Sequence, residues 1–244
     1  MGDREIGRIA HFFRPRLGAG ALQCGVDGIA TFWNQRYSNH KACWGDDGSP
    51  TLQVALRHFP ATGRALEIGY GYGRDLVALA RRGLTVTGID PSDEGRHMAE
   101  ERLTGLKLST ATLMTADFTD LDLPPATFDA VLSHRTLHLM TAPGSVDRFA
   151  RKLAAVARPG AVVCIGTRDL RDLDPARMNG HHHGDDVYEY SDRPGHVISY
   201  WDDGRFRKTF AADFDVVSLE QASEQEASDN PVPCYLTIMV ARRR

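Results

Sequence analysis

Long apolar runs are missing from this 244-residue sequence. No stretch approaches the roughly 18 consecutive apolar residues that span a bilayer, so no membrane partner is expected. Lysine is scarce: of 29 basic residues, only Lys41, Lys107, Lys152 and Lys208 are lysines. Basic residues are also not concentrated. The one run is Arg242-Arg243-Arg244, and 32 acidic residues bring the net charge to −3. A nucleic-acid partner would favour a concentrated basic face, so none is expected. Cys24, Cys43, Cys164 and Cys234 are widely spaced without a CxxC pair, which argues against a thiolate metal cluster. Cys164 lies in the apolar run Ala161-Val162-Val163-Cys164-Ile165 and reads as a buried small hydrophobe. The start, Met1-Gly2-Asp3-Arg4-Glu5-Ile6, has early acids and no apolar stretch, so neither a signal peptide nor a myristoylation site is expected. A reducing cytoplasm is the expected compartment. What is present, 42% hydrophobic and 25% charged residues, is an ordinary globular composition. It is enough chain for one domain with a sizeable core.

From about residue 64, short β-rich runs alternate with helical stretches. Arg64 to Gly69 reads as a strand, followed by a glycine-rich turn and a helix to about Arg82. Leu84 to Asp90 reads as a second strand, and Ser92 can cap a helix with Asp93 and Glu94 in its first turn. Further strands fit Ala111 to Ala116, Phe128 to Ser133 and Ala161 to Gly166, with a helix over 144–156 before Arg158-Pro159-Gly160. This spacing predicts a parallel α/β sheet. Phe214 to Leu219 and Tyr235 to Val240 read as a terminal strand pair joined by a long polar loop, Glu220 to Cys234. Residues 1–60 are expected to form a helical cap, with Ser49 capping a helix over Thr51 to His58 and Pro50 at its first position. Residues 61–244 form the main domain, and 169–205, without clean periodicity, an insertion on the substrate side.

The most informative block is Leu66-Glu67-Ile68-Gly69-Tyr70-Gly71-Tyr72-Gly73-Arg74, at a strand-to-helix junction. Glycine allows a tight turn and close approach of a ligand. A dinucleotide fingerprint would want a third glycine where Arg74 stands. Glu67, two residues before the first glycine, would repel a pyrophosphate but suit a cationic cofactor.

This E-x-G-x-G-x-G block resembles motif I of the class I S-adenosylmethionine (SAM) methyltransferases. Asp90, Ala116-Asp117-Phe118, Phe128-Asp129-Ala130-Val131 and Arg158-Pro159-Gly160-Ala161 follow at the matching distances. The resemblance implies a Rossmann-like fold, with a mostly parallel seven-stranded sheet, an antiparallel terminal strand and helices on both faces. It implies SAM as cofactor, Asp90 at the ribose hydroxyls and Asp117 at the adenine amine. Glu67, Gly69, Tyr70, Gly71, Gly73, Pro91, Phe118 and Ser133 are the further implied cofactor contacts. Phe32-Trp33-Asn34-Gln35-Arg36-Tyr37 and the region from Gly195 to Trp201 resemble the thiopurine and tellurite-resistance methyltransferases. In that group the first Trp touches the cofactor from a lid, and acceptors are small polarizable or heteroaromatic molecules. Trp33 and Tyr37, spaced i, i+4, fit equally an apolar helix face.

After the fourth strand stand Ser133-His134-Arg135-Thr136-Leu137-His138. Ligands of α/β sheets bind outside the carboxyl ends of the strands, which places these polar residues at the acceptor. His134 fits a general base, Arg135 a clamp on an anion, and His138 either role or a packing role. His181-His182-His183 diverge as neighbours and no second ligand set has metal spacing, so no metal is expected. The expected function is methyl transfer to a small-molecule acceptor at O, N or S, by a monomer or homodimer. The alternatives are a macromolecular substrate and a SAM- or nucleotide-binding regulator without turnover.

Overall fold

A computed structural model describes residues 26–40, 44–174, 178–182, 186–191, 196–227 and 230–244. Residues 1–25 of the expected cap, with Cys24, Cys43, His183 and Gly195, lie outside them.

Seven strands form one sheet: β1 (Gly63–Ile68), β2 (Leu84–Asp90), β3 (Ala111–Thr115), β4 (Phe128–His134), β5 (Ala157–Arg168), β9 (Phe214–Ala227) and β10 (Asn230–Arg243). Their spatial order is β3-β2-β1-β4-β5-β10-β9. All run parallel except β10, which is antiparallel to both β5 and β9. The chain therefore reverses its winding between β1 and β4. In a sheet wound this way the crevice at the reversal is where ligands bind.

Alternation along each strand sends successive side chains to opposite faces, and two cores result. On one face Ala65, Ala130, Leu132, Val162, Cys164 and Ile238 pack beneath α2 (Pro50–Ala55), α3 (Arg74–Arg81) and α4 (Asp93–Gly105). On the other, Leu66, Val131, Val163, Ile165 and Met239 pack beneath α5 (Ser145–Val156) and α6 (Asp203–Phe210). Each fully buried Val, Leu, Ile or Phe contributes about 1.5–3 kcal/mol. Cys164 is such a core residue. Two of the caps are as the sequence predicts. Ser49 accepts from the Leu52 amide at 3.0 Å, and Ser92 from the Gly95 amide at 2.9 Å.

Three expectations are corrected. The helix after Ser49 ends at Ala55, one turn before His58. The polar segment Glu220 to Cys234 is not a long loop: β9 and β10 pair through it, from Phe214 opposite Arg243 to Ala227 opposite Asn230. β9 is an edge strand, where polar residues are compatible with a ladder. The irregular insertion contains a second, antiparallel sheet of β6 (Met178–His182), β7 (Val187–Tyr190) and β8 (Val197–Ser199). Tyr190, Ile198 and Tyr200 are its own small core.

Candidate active site

The carboxyl ends of β1, β2 and β4 open into a cavity of about 380 Å³. The glycine-rich turn forms its floor. Gly69 has φ 78°, and a Cβ there would lie 2.0 Å from Thr136 Oγ1. Gly71 has φ 56°, and a Cβ there would lie 2.6 Å from the Tyr37 hydroxyl. Both conditions select glycine.

Asp90 accepts from the Gly71 amide and from the Ser92 amide, each at 2.9 Å. Burial outweighs these bonds and pushes its pKa up to about 6. Glu67 is buried, and its Oε2 has no hydrogen-bond partner among the described residues. Burial, with the negative charges of Asp75 and Asp90, raises its pKa well above the carboxylate range. Asp117 Oδ1 accepts from the Thr119 amide and hydroxyl at 2.7 Å, so its carboxylate is held in place beside Phe118.

Helix α1 (Val26–Asn39) borders the opening. Asn34 Oδ1 accepts from Ser92 Oγ at 2.7 Å and from the Glu94 amide at 3.1 Å, tying α1 to the start of α4. Trp33 stacks on Tyr37 at 5.6 Å, and Trp44 lies 6.1 Å from Trp33. These three rings line the cavity. Phe32, from the same helix, meets His196 of the insertion at 5.0 Å.

His134 and Arg135 are bound by a residue that the sequence did not single out. Glu224 Oε1 accepts from His134 Nε2 at 2.8 Å and from Arg135 Nη1 at 3.3 Å. Its Oε2 accepts from Arg74 Nη2 at 3.4 Å. Burial alone would raise the Glu224 pKa, but His134, Arg135 and Arg74 hold it well below the carboxylate range. The other nitrogen of His134, Nδ1, lies 2.7 Å from Thr51 Oγ1. Arg135 has φ 55°, unusual for a residue with a Cβ, and lies over the Trp44 ring at 5.4 Å.

Trp33, Glu67, Gly69, Tyr70, Gly71, Asp90, Pro91, Asp117, Phe118, His134, Arg135 and His138 all line this one cavity. Gly73 and Ser133 do not. Gly73, at φ 82°, precedes α3, and a Cβ there would press on Ala99 at 2.9 Å. Ser133 is fully buried and donates to the Ile68 carbonyl at 3.2 Å, joining β4 to β1.

Residues 66–165 match a protein family described as a methyltransferase domain. That segment runs from β1 into β5. An uncharacterized methyltransferase of Geobacillus kaustophilus is 30% identical over 124 residues, 48% of this chain and 55% of that protein. The 27-O-demethylrifamycin SV methyltransferase of Amycolatopsis mediterranei is 30% identical over 158 residues, covering 58% and 56%. The chain spans about half the length of the curated relatives that it matches first. In fold, it is similar to the 1,6-didemethyltoxoflavin-N1-methyltransferase of Burkholderia thailandensis. The TM-score is 0.65 at 18% identity, over 95% of this chain and 94% of that one.

The cavity has features that fit SAM. The buried, unpartnered Glu67 oxygen suits a ligand that carries positive charge, and a cation there would lower the raised Glu67 pKa. Gly69 and Gly71 add no side chain to the turn, and Asp90 and Asp117 both line the cavity.

Proposed function

We propose that this chain transfers the methyl group of SAM to a small-molecule acceptor at O, N or S. In this reading Glu67 faces the cationic amino-acid end of the cofactor, Asp90 its ribose and Asp117 its adenine, with Trp33 and the Gly69–Gly71 turn closing around it. SAM supplies an electrophilic methyl carbon. The chain's task is alignment of the acceptor with that carbon and exclusion of water. Trp33, Tyr37 and Trp44 form a wall suited to excluding water, and α1 is held to α4 through Asn34.

The observation that carries the reading is a single cavity lined both by the motif I turn and by the polar residues after β4. Its volume is in the range of small-molecule sites. The names of the rifamycin and toxoflavin methyltransferases support small acceptors. The Phe32–Tyr37 segment, similar to that of the thiopurine and tellurite-resistance group, supports a polarizable or heteroaromatic one.

Calorimetry with S-adenosylhomocysteine (SAH), followed by transfer of labelled methyl to a panel of phenols, heteroaromatic amines and thiols, tests this. Absence of SAH binding would remove the cofactor assignment. Binding without transfer to any acceptor would favour the regulatory alternative, and transfer only to protein or nucleic acid the macromolecular one.

A further inference from the structure

Of the three candidates His134, Arg135 and His138 at and beyond the end of β4, the first two are engaged by the protein itself. His134 has Glu224 at Nε2 and Thr51 at Nδ1. Arg135 shares Glu224 with Arg74, and Arg74 also faces Asp75 at 3.8 Å. Glu224 stays ionised, so both arginines already have a counter-charge. A carboxylate placed beside them would meet an ion pair rather than a free cation. The third arginine lining the cavity, Arg148, is solvent-exposed.

His138 differs. It is 4% exposed, lines the cavity beside Leu139 and Met140, and its Nδ1 has no hydrogen-bond partner among the described residues. A buried polar atom without a partner is uncommon in native proteins and asks for an explanation. Burial first, and then the charges of Arg168, Arg135, His196 and His134, hold the imidazole pKa well below its ordinary value. Arg168 pairs with Asp172, and Ser199 Oγ donates to the His138 carbonyl at 3.3 Å. The imidazole is thus neutral, with a buried nitrogen that has no partner among the described residues.

We propose that the acceptor is an uncharged molecule carrying an O–H or an aromatic N–H, and that His138 takes that proton during methyl transfer. This rests on the methyltransferase reading above. The acceptor lone pair forms the bond to the methyl carbon while the carbon–sulfur bond breaks, its electron pair staying on sulfur. The acceptor proton passes to the imidazole, which releases it to water once the product has left.

The test uses the full chain saturated with SAH and three probes: 2-naphthol, benzimidazole and the carboxylate 2-naphthoate. Calorimetry should show binding of the two neutral probes in preference to the carboxylate. With SAM, His138→Gln should lower turnover of the neutral probes roughly 10²–10⁴-fold, with SAH affinity unchanged. The deficit should shrink as pH approaches the acceptor's own pKa, because an ionised acceptor needs no base. A purely structural role would not give that recovery. In the wild type at saturating SAM, kcat should stay on its plateau as pH falls through 6.5, the ordinary imidazole value. This last measurement does not depend on a folded variant. Preference for 2-naphthoate, no binding of either neutral probe, an acid limb at or above pH 6.5, or wild-type turnover in a folded His138→Gln protein would each overturn the proposal. Those outcomes are read with cofactor bound, so they leave the cofactor assignment standing. Failure of the wild type to bind SAH removes the methyltransferase reading and this proposal with it.

Discussion

Replacing Glu224 by Gln removes one charge from behind His134, Arg135 and Arg74 while keeping its shape. Glu224 is 10% exposed, and its carboxylate serves His134, Arg135 and Arg74. Breaking a buried ion pair from one side costs about 3–5 kcal/mol. Gln retains one acceptor oxygen and Arg74 retains Asp75, so the lower end, about 3 kcal/mol, is expected. For a chain of this size that corresponds to a fall of about 6–12 °C in Tm. The pH dependence has a definite sign. The folded carboxyl titrates well below its ordinary value of 4.5. Its contribution is complete above pH 4.5 and is lost as pH falls from there towards the folded pKa. Urea unfolding of both proteins at pH 7 and below pH 4.5 should therefore show a gap that narrows in acid. The same variant takes one counter-charge from Arg135, so 2-naphthoate should bind the SAH complex more tightly than in the wild type. A gap below about 1 kcal/mol at neutral pH, outside what a broken buried pair costs, or a gap that does not change with pH, would refute the reasoning.

With Asp90 at the cofactor ribose as proposed, Asp90→Ala removes a charged acceptor for two hydroxyls, each bond worth roughly 1.5–3 kcal/mol, so SAH affinity should fall at least tenfold by calorimetry. Because Asp90 titrates at about 6, wild-type affinity should also fall as pH drops below that value, by about tenfold at one unit below. Gly71→Ala places a Cβ at φ 56° against the Tyr37 hydroxyl. A strained φ costs about 1–3 kcal/mol, so Tm and SAH affinity should fall together. If Trp33 and Tyr37 close over the cofactor, hydrogen exchange across Val26–Asn39 should slow on SAH binding; equal exchange in both states would assign the two rings to a fixed helix face.

Much of this protein is legible in its sequence, because local physics and global fold agree there. The second strand, Leu84 to Asp90, matches its predicted span, since its β-rich residues alternate in burial at its start and are buried at its end. Ser49 and Ser92 announce their caps through short-range bonds that need no tertiary context. Gly69 and Gly71 announce a turn that nothing bulkier can make. Other features depend on distant neighbours. Glu220 to Cys234 reads as a polar loop because an edge strand does not need an apolar face, and only pairing with β10 makes it a strand. Residues 169–205 hide a three-stranded sheet behind short strands and turn residues.

The sequence by itself determined the parallel α/β architecture, the glycine-rich turn and the acids at the ends of successive strands. Those features follow from backbone geometry and from spacing along the chain. Tertiary structure alone decided the roles available to the polar residues after β4. His134, Arg135 and His138 are near-equivalent candidates in one dimension. Glu224 lies 90 residues from His134 in the chain and yet 2.8 Å from it in space. The β9–β10 hairpin brings that carboxylate against Arg135 and His134, while His138 Nδ1 has no partner among the described residues. A charge acts on what surrounds it through space, and no local pattern in the sequence records which charge will arrive.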